Sequence, residues 1–133
     1  MSEETTTIGA LTNPPSASVP DLDLQGLELA RRLVDELSEK QAEGIVLLDI
    51  AEVSSVADYF VIGSTMSKRQ FEAVEDALRK VNVIRPRIEG TAASGWQLFD
   101  FGDVIVHLFG HDERAFYDLE SLWAHGNQLL RME

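Results

Sequence analysis

"GWQLFDFGDVIVHLFG", residues 95–110, sets two apolar runs on either side of a short polar turn, the pattern of a β-hairpin. With Phe101-Gly102 as the two-residue turn, Asp100 stands opposite Asp103, Leu98 opposite Ile105 and Trp96 opposite His107. Directly opposed residues share a face. Trp96, Leu98, Asp100, Asp103, Ile105, His107 and Phe109 therefore lie together, and Phe99, Val104, Val106 and Leu108 form the other face. The second face is wholly apolar and is expected to meet the core. The first combines apolar residues with two carboxylates and an amphipathic Trp, the mixture expected at a protein contact. A register slip of one residue would reverse this assignment.

Upstream of the hairpin the periodicity alternates between helix and strand. Leu27, Ala30, Val34 and Leu37 recur at three- and four-residue spacing, which predicts a helix from Asp23 to about Gln41, with Asp23 as its cap and Gly44 at its exit. "IVLLDI" (45–50) and "YFVIG" (59–63) are short, β-branched apolar runs and read as buried strands. Ser67 and Gln70 then have the spacing of a capping box, with Met66 and Phe71 placed as a hydrophobic staple. Phe71, Val74, Leu78 and Val81 supply the buried stripe of the helix that follows, and a short strand is expected near Arg87–Glu89. Downstream, a helix beginning at Asp112 should turn Ala115, Phe116, Leu119 and Trp123 inward and end near Gly126. The sum is an α/β domain, a mixed sheet of about five strands covered by helices.

Composition sets the outer bounds. The 133 residues suit one domain, long enough to bury roughly two-thirds of its unfolded surface. Residues 1–21 are rich in Thr, Ser, Ala and Pro without a basic residue, and are expected to be a disordered acidic and polar tail. This leaves 22–126 as the domain and 127–133 as a short C-terminal tail. No apolar run approaches the ~20 residues of a membrane helix. The chain has no cysteine, which removes disulfides and thiolate metal sites and suits a reducing, cytoplasmic compartment. Eleven Lys and Arg against twenty-three Asp and Glu give a net charge of −12, which opposes non-specific nucleic-acid binding and favours a basic partner.

Each catalytic pattern in the sequence has a plainer counterpart. "DFG" (100–102) matches a kinase magnesium motif, yet the glycine-rich phosphate loop and the "HRD" element are missing. His107, His111 and His125 lack the close helical pairing of a zinc site. "GSTMS" (63–67) is not the G-x-S-x-G nucleophile elbow. Asp100 and Asp103 could act as paired acids, but they flank a turn, where Asp is favoured for local hydrogen bonding whatever the function. Trp96 and Tyr117 have an equally plain reading as half-buried aromatics, and Asp58 as a loop acid ahead of a strand.

"SSVADYFVIGSTMSKRQFEAVEDAL" (54–78) and "IEGTAASGWQLFDFGDVIVHLFGHDERAFYDLESLWAH" (88–125) resemble the ribosomal silencing factor (RsfS, or Iojap) family. The resemblance covers about residues 27–125 and is anchored on "ADYFVI" (57–62), "SKRQ" (67–70), "EG" (89–90), W-x-L-x-D-x-GDV-x-VH-x-F (96–109) and R-x-FYDLE-x-LW (114–123). Thr65 stands where the family commonly has Gly, and Phe101 where it commonly has Tyr. The resemblance implies a nucleotidyltransferase-like topology without the metal site, and a protein that is not an enzyme and needs no cofactor or metal. It further implies binding to the large ribosomal subunit through its ribosomal protein number fourteen. Such binding blocks joining of the small subunit and represses translation when nutrients are scarce, with little direct nucleic-acid contact. Family members can form homodimers when free. By motif match, Asp58, Trp96, Asp100, Asp103, His107 and Tyr117 are the expected partner contacts. The alternative is a nucleotidyltransferase-like enzyme or nucleotide-binding module. Gly63-Ser64 favours it, but Glu72, Glu75 and Asp76 lie on a helix where that reading needs a D-x-D strand.

Overall fold

The computed structural model describes residues 23–118, 121 and 126–132, with Phe116 and Tyr117 described by their backbone alone. Along the chain run α1 (Gly26–Glu39), β1 (Glu43–Asp49), β2 (Tyr59–Thr65), α2 (Lys68–Arg79), β3 (Arg87–Thr91), a 3₁₀ turn (Ala92–Ser94), β4 (Trp96–Asp100), β5 (Val104–Gly110), α3 (His111–Tyr117) and β6 (Asn127–Met132). The strands form one six-stranded sheet in the order β3-β4-β5-β2-β1-β6. β2 and β5 run parallel, and every other neighbouring pair is antiparallel. The connection from β2 through α2 to β3 therefore passes over two strands. The α/β class expected from the sequence is the class observed, with one strand more than the five expected. That strand is β6: residues 127–132, read as a tail, pair with β1 at the edge of the sheet.

α1 and α2 pack on one face. Leu29, Ala30, Leu33, Val34 and Leu37 from α1 and Phe71, Val74 and Leu78 from α2 meet Phe99, Val104, Val106 and Leu108 in the main core. The opposite face carries its own buried cluster, built from Val46, Leu48, Ile50, Ala57, Phe60, Ile62, Ile105 and Phe109, against which Trp96 and Leu98 pack.

The helix ends depart from simple local capping. α1 begins at Gly26, and its N-cap Gln25 makes no side-chain cap bond. Asp23, expected to be the cap, instead accepts from Asn82 Nδ2 at 3.0 Å. The cap is supplied from 77 residues away, because Asp103 Oδ2 accepts from the Gly26 N–H at 2.7 Å. In α2, Ser67 Oγ accepts from Gln70 N–H as expected. Gln70 Oε1 reaches one residue further back than a capping box requires and accepts from Met66 N–H, while its Nε2 donates to the carbonyls of Lys40 and Gln41 just past the end of α1. Met66 is 58% exposed, so the staple with Phe71 buries little of it. In α3, Ala115 is exposed and not inward-facing as expected. Its helix stops at Tyr117, where Asp118 turns left-handed (φ +46°). The tail 1–21, Leu119 and Trp123 lie outside the described residues. No helix among the described residues is long and apolar enough to cross a membrane.

Candidate functional site

The hairpin turn is Gly102-Asp103, one residue later than expected from the sequence. Phe101 N–H donates to Val104 O at 2.9 Å, and Gly102 takes φ +99° at the first central position. A two-residue hairpin turn demands positive φ there, which Gly adopts freely and Phe does not. The register is thereby moved by two: Trp96 faces Phe109, Leu98 faces His107, and Asp100 faces Ile105. Because side chains alternate with period two, a shift of two leaves both faces intact. Only Asp103 leaves its face, since it sits in the turn.

Burial corrects the first face more strongly. Phe99, at 0% exposed, belongs to the core as expected, but His107 at 4% and Phe109 at 1% are buried too. β5 lies in the interior of the sheet with both faces covered, and every residue from Val104 to Phe109 is buried. The open face expected across the whole hairpin is confined to β4, where Trp96, Leu98 and Asp100 are half-buried between the buried Gln97 and Phe99. Leu98 belongs with them, though the expected contact set omits it. Its place between Trp96 and Asp100 in a period-two pattern was the signal that it shares their surface.

Five of the six expected contacts have a definite place among the described residues. Trp96 opens β4, close against β3, where a Cβ on Gly90 (φ +84°) would come within 2.3 Å of the Trp96 carbonyl oxygen. Its indole Nε1 donates to His107 Nδ1 at 3.3 Å, diagonally across the β4–β5 pair. The rings of Trp96, His107 and Phe109 lie near-parallel with centroids 6.1–6.4 Å apart, and Phe60 meets His107 edge-on at 4.8 Å. Burial pushes the His107 pKa down to about 4, so the imidazole is neutral at physiological pH. With Nδ1 accepting, Nε2 carries the proton, and it has no hydrogen-bond partner among the described residues. An orphaned buried donor costs about 1–3 kcal/mol.

The carboxylates gather at the other end of the sheet, about 13 Å along β4 from Trp96 at strand rise. Asp49 ends β1, Asp58 precedes β2, Asp100 ends β4 and Asp103 occupies the turn. The N–H groups of Asp58 and Tyr59 both donate to Asp103 O. Asp100 and Asp103 have the local tasks that turn acids have: Asp100 Oδ1 accepts from Gly102 N–H at 2.8 Å, and Asp103 caps α1. Asp58 is exposed. The Tyr117 side chain lies outside the described residues.

Residues named in the nucleotidyltransferase alternative, on both sides of it, have structural partners. Ser64 Oγ donates to Glu43 O at 3.1 Å. On α2, Glu75 pairs with Arg79 and Asp76 with Lys80 as i,i+4 ion pairs on the helix surface. Among the described residues no group of three or more His, Asp or Glu is placed to hold a metal.

Comparison with known proteins shows what the chain is similar to. Residues 24–133 match the family described as "Ribosomal silencing factor during starvation". A ribosomal silencing factor from Halalkalibacterium halodurans is 40% identical over 100 residues, covering 72% of this chain and 86% of the relative. A mouse protein named for mitochondrial assembly of the ribosomal large subunit is 34% identical over 98 residues, covering 68% of this chain and 43% of that protein. A crystal structure of a protein from Bacillus halodurans is similar with a TM-score of 0.69 at 37% identity, covering 79% of this chain and 99% of its own.

Proposed function

The chain belongs to the ribosomal silencing factor family, and from that premise we propose that it binds the large ribosomal subunit through ribosomal protein number fourteen and blocks joining of the small subunit. The block is steric, lowers translation under nutrient limitation and requires no turnover. It acts in the cytoplasm, where subunits meet. The observation that carries the reading is the family match over residues 24–133, which spans the whole surface on which Trp96 lies.

The surface chemistry supports a protein partner over rRNA. Trp96 and Leu98 offer half-buried apolar area on β4, the kind of anchor that concentrates binding energy at an interface. Asp58 and Asp100 add negative charge at the rim, in a chain of net charge −12 that repels phosphate and attracts a basic ribosomal protein. We assign direct contact to Trp96, Leu98, Asp58 and Asp100, and keep Asp103 and Tyr117 as contacts that the family motif implies. His107 is buried behind Trp96 and is not assigned a direct contact.

Binding kinetics test the electrostatic part. Asp58→Asn combined with Asp100→Asn should slow association with large subunits and flatten its salt dependence, because rim charges act at long range. An association rate and salt slope unchanged from the parent chain would remove the acidic rim from the interface.

A further inference from the structure

β5 reads Val-Ile-Val-His-Leu-Phe, and His107 is the only polar side chain in that buried run. The groups that surround its ring are aromatic: Phe60 edge-on, with Trp96 and Phe109 near-parallel. A phenylalanine would fill the same space without an orphaned donor at Nε2. What the imidazole alone supplies is an acceptor at Nδ1, and the group that uses it is the Trp96 indole N–H. Desolvation keeps the ring neutral, so the Nδ1 lone pair stays available at working pH.

Resting on the reading that Trp96 faces the ribosome, we infer that His107 is a positioning residue for that contact: its Nδ1 holds the Trp96 indole in the orientation in which it meets the partner. The backbone of Trp96 is already fixed between Thr91 on β3 and Phe109 on β5. Two side-chain torsions remain, and the hydrogen bond together with the parallel stack on Phe109 restricts both. A side chain ordered before docking loses less freedom on docking, so the held indole binds more tightly than a loose one. His107 thus shapes the interface from behind it, without touching the partner.

Two replacements separate positioning from packing. His107→Phe keeps the aromatic volume and removes the acceptor. His107→Asn loses volume but can place its Oδ1 near the Nδ1 position. The two indole N–H resonances, assigned with Trp123→Phe, report the hydrogen bond directly in a ¹H–¹⁵N spectrum. In His107→Phe the Trp96 resonance should shift and exchange faster with solvent, and affinity for large subunits should fall about tenfold, while the melting temperature holds or rises. His107→Asn should melt lower yet bind more tightly than His107→Phe. That inversion of stability and affinity is what a merely structural histidine would not produce. A Trp96 resonance unmoved by His107→Phe, or affinities that rank with melting temperature, would overturn the inference. Failure of the parent chain to bind large subunits would instead overturn the proposed function, and the indole resonance would still decide whether His107 holds Trp96.

Discussion

The carboxylate of Asp103 accepts a 2.7 Å hydrogen bond from the backbone N–H of Gly26, so the turn of the central hairpin caps a helix that begins 77 residues earlier. The first N–H groups of a helix have no intrahelical acceptor and carry its positive dipole end, so a carboxylate there is favoured twice. Asp103→Ala should cost about 1–2 kcal/mol of stability, and Asp103→Asn, which keeps an acceptor, clearly less. Chemical denaturation measures both. Equal losses would show that the charge alone, and not the hydrogen bond, does the capping.

Gln70 joins two helices through one amide. It accepts from Met66 N–H and donates to the carbonyls of Lys40 and Gln41. Gln70→Glu keeps the acceptor toward Met66 but turns a negative charge on those carbonyls. Gln70→Ala is therefore expected to destabilise by about 1–2 kcal/mol, and Gln70→Glu by a similar amount or more. A Gln70→Glu variant as stable as the parent would mean that the link to α1 contributes nothing.

The two faces of β4 should respond differently to truncation. Phe99 is fully buried in the core, so Phe99→Ala should cost about 3–5 kcal/mol of folding stability. Trp96 is half-buried, so Trp96→Ala should spare most of the stability while weakening subunit binding by roughly 2 kcal/mol or more. Thermal melts and binding measurements on the same two variants check this. Unfolding by Trp96→Ala, with Phe99→Ala merely weakening binding, would reverse the assignment of faces.

Acid should act through His107. Its folded pKa is near 4, below the ordinary 6.5, so between those values the unfolded chain binds a proton that the folded chain does not. Stability attributable to this group is whole above pH 6.5, drains as pH falls and is lost by about pH 4, a total of about 3 kcal/mol. The difference between the stability profiles of the parent and His107→Phe should show that slope. Parallel profiles from pH 7 to 4 would mean that the histidine titrates normally in the fold.

Local signals in the sequence located much of this structure. The Ser67 cap, the stripe Phe71, Val74 and Leu78, and the apolar set Phe99, Val104, Val106 and Leu108 all depend on short spacings, and all were legible. The faces of the hairpin survived a misplaced turn because the error was two residues and the side-chain period is two. What depended on distant chain was not legible. Asp23 looked like a cap because the true cap, Asp103, is far away in sequence. β6 looked like a tail because its register with β1 shifts between Leu47 and Leu48, which breaks the alternation that marks a strand. His107 looked exposed because alternation assigns a face but not whether that face is covered. Only the interior position of β5 in the sheet settles that.

Co-sedimentation of the parent chain and Trp96→Ala with separated ribosomal subunits tests whether the protein silences ribosomes through the Trp96 surface. The parent should travel with large subunits and not with small ones, and should reduce the fraction of large subunits that join small ones, while Trp96→Ala should do both weakly. Equal binding to both subunits, binding to neither, or large-subunit binding that leaves joining unaffected would contradict it.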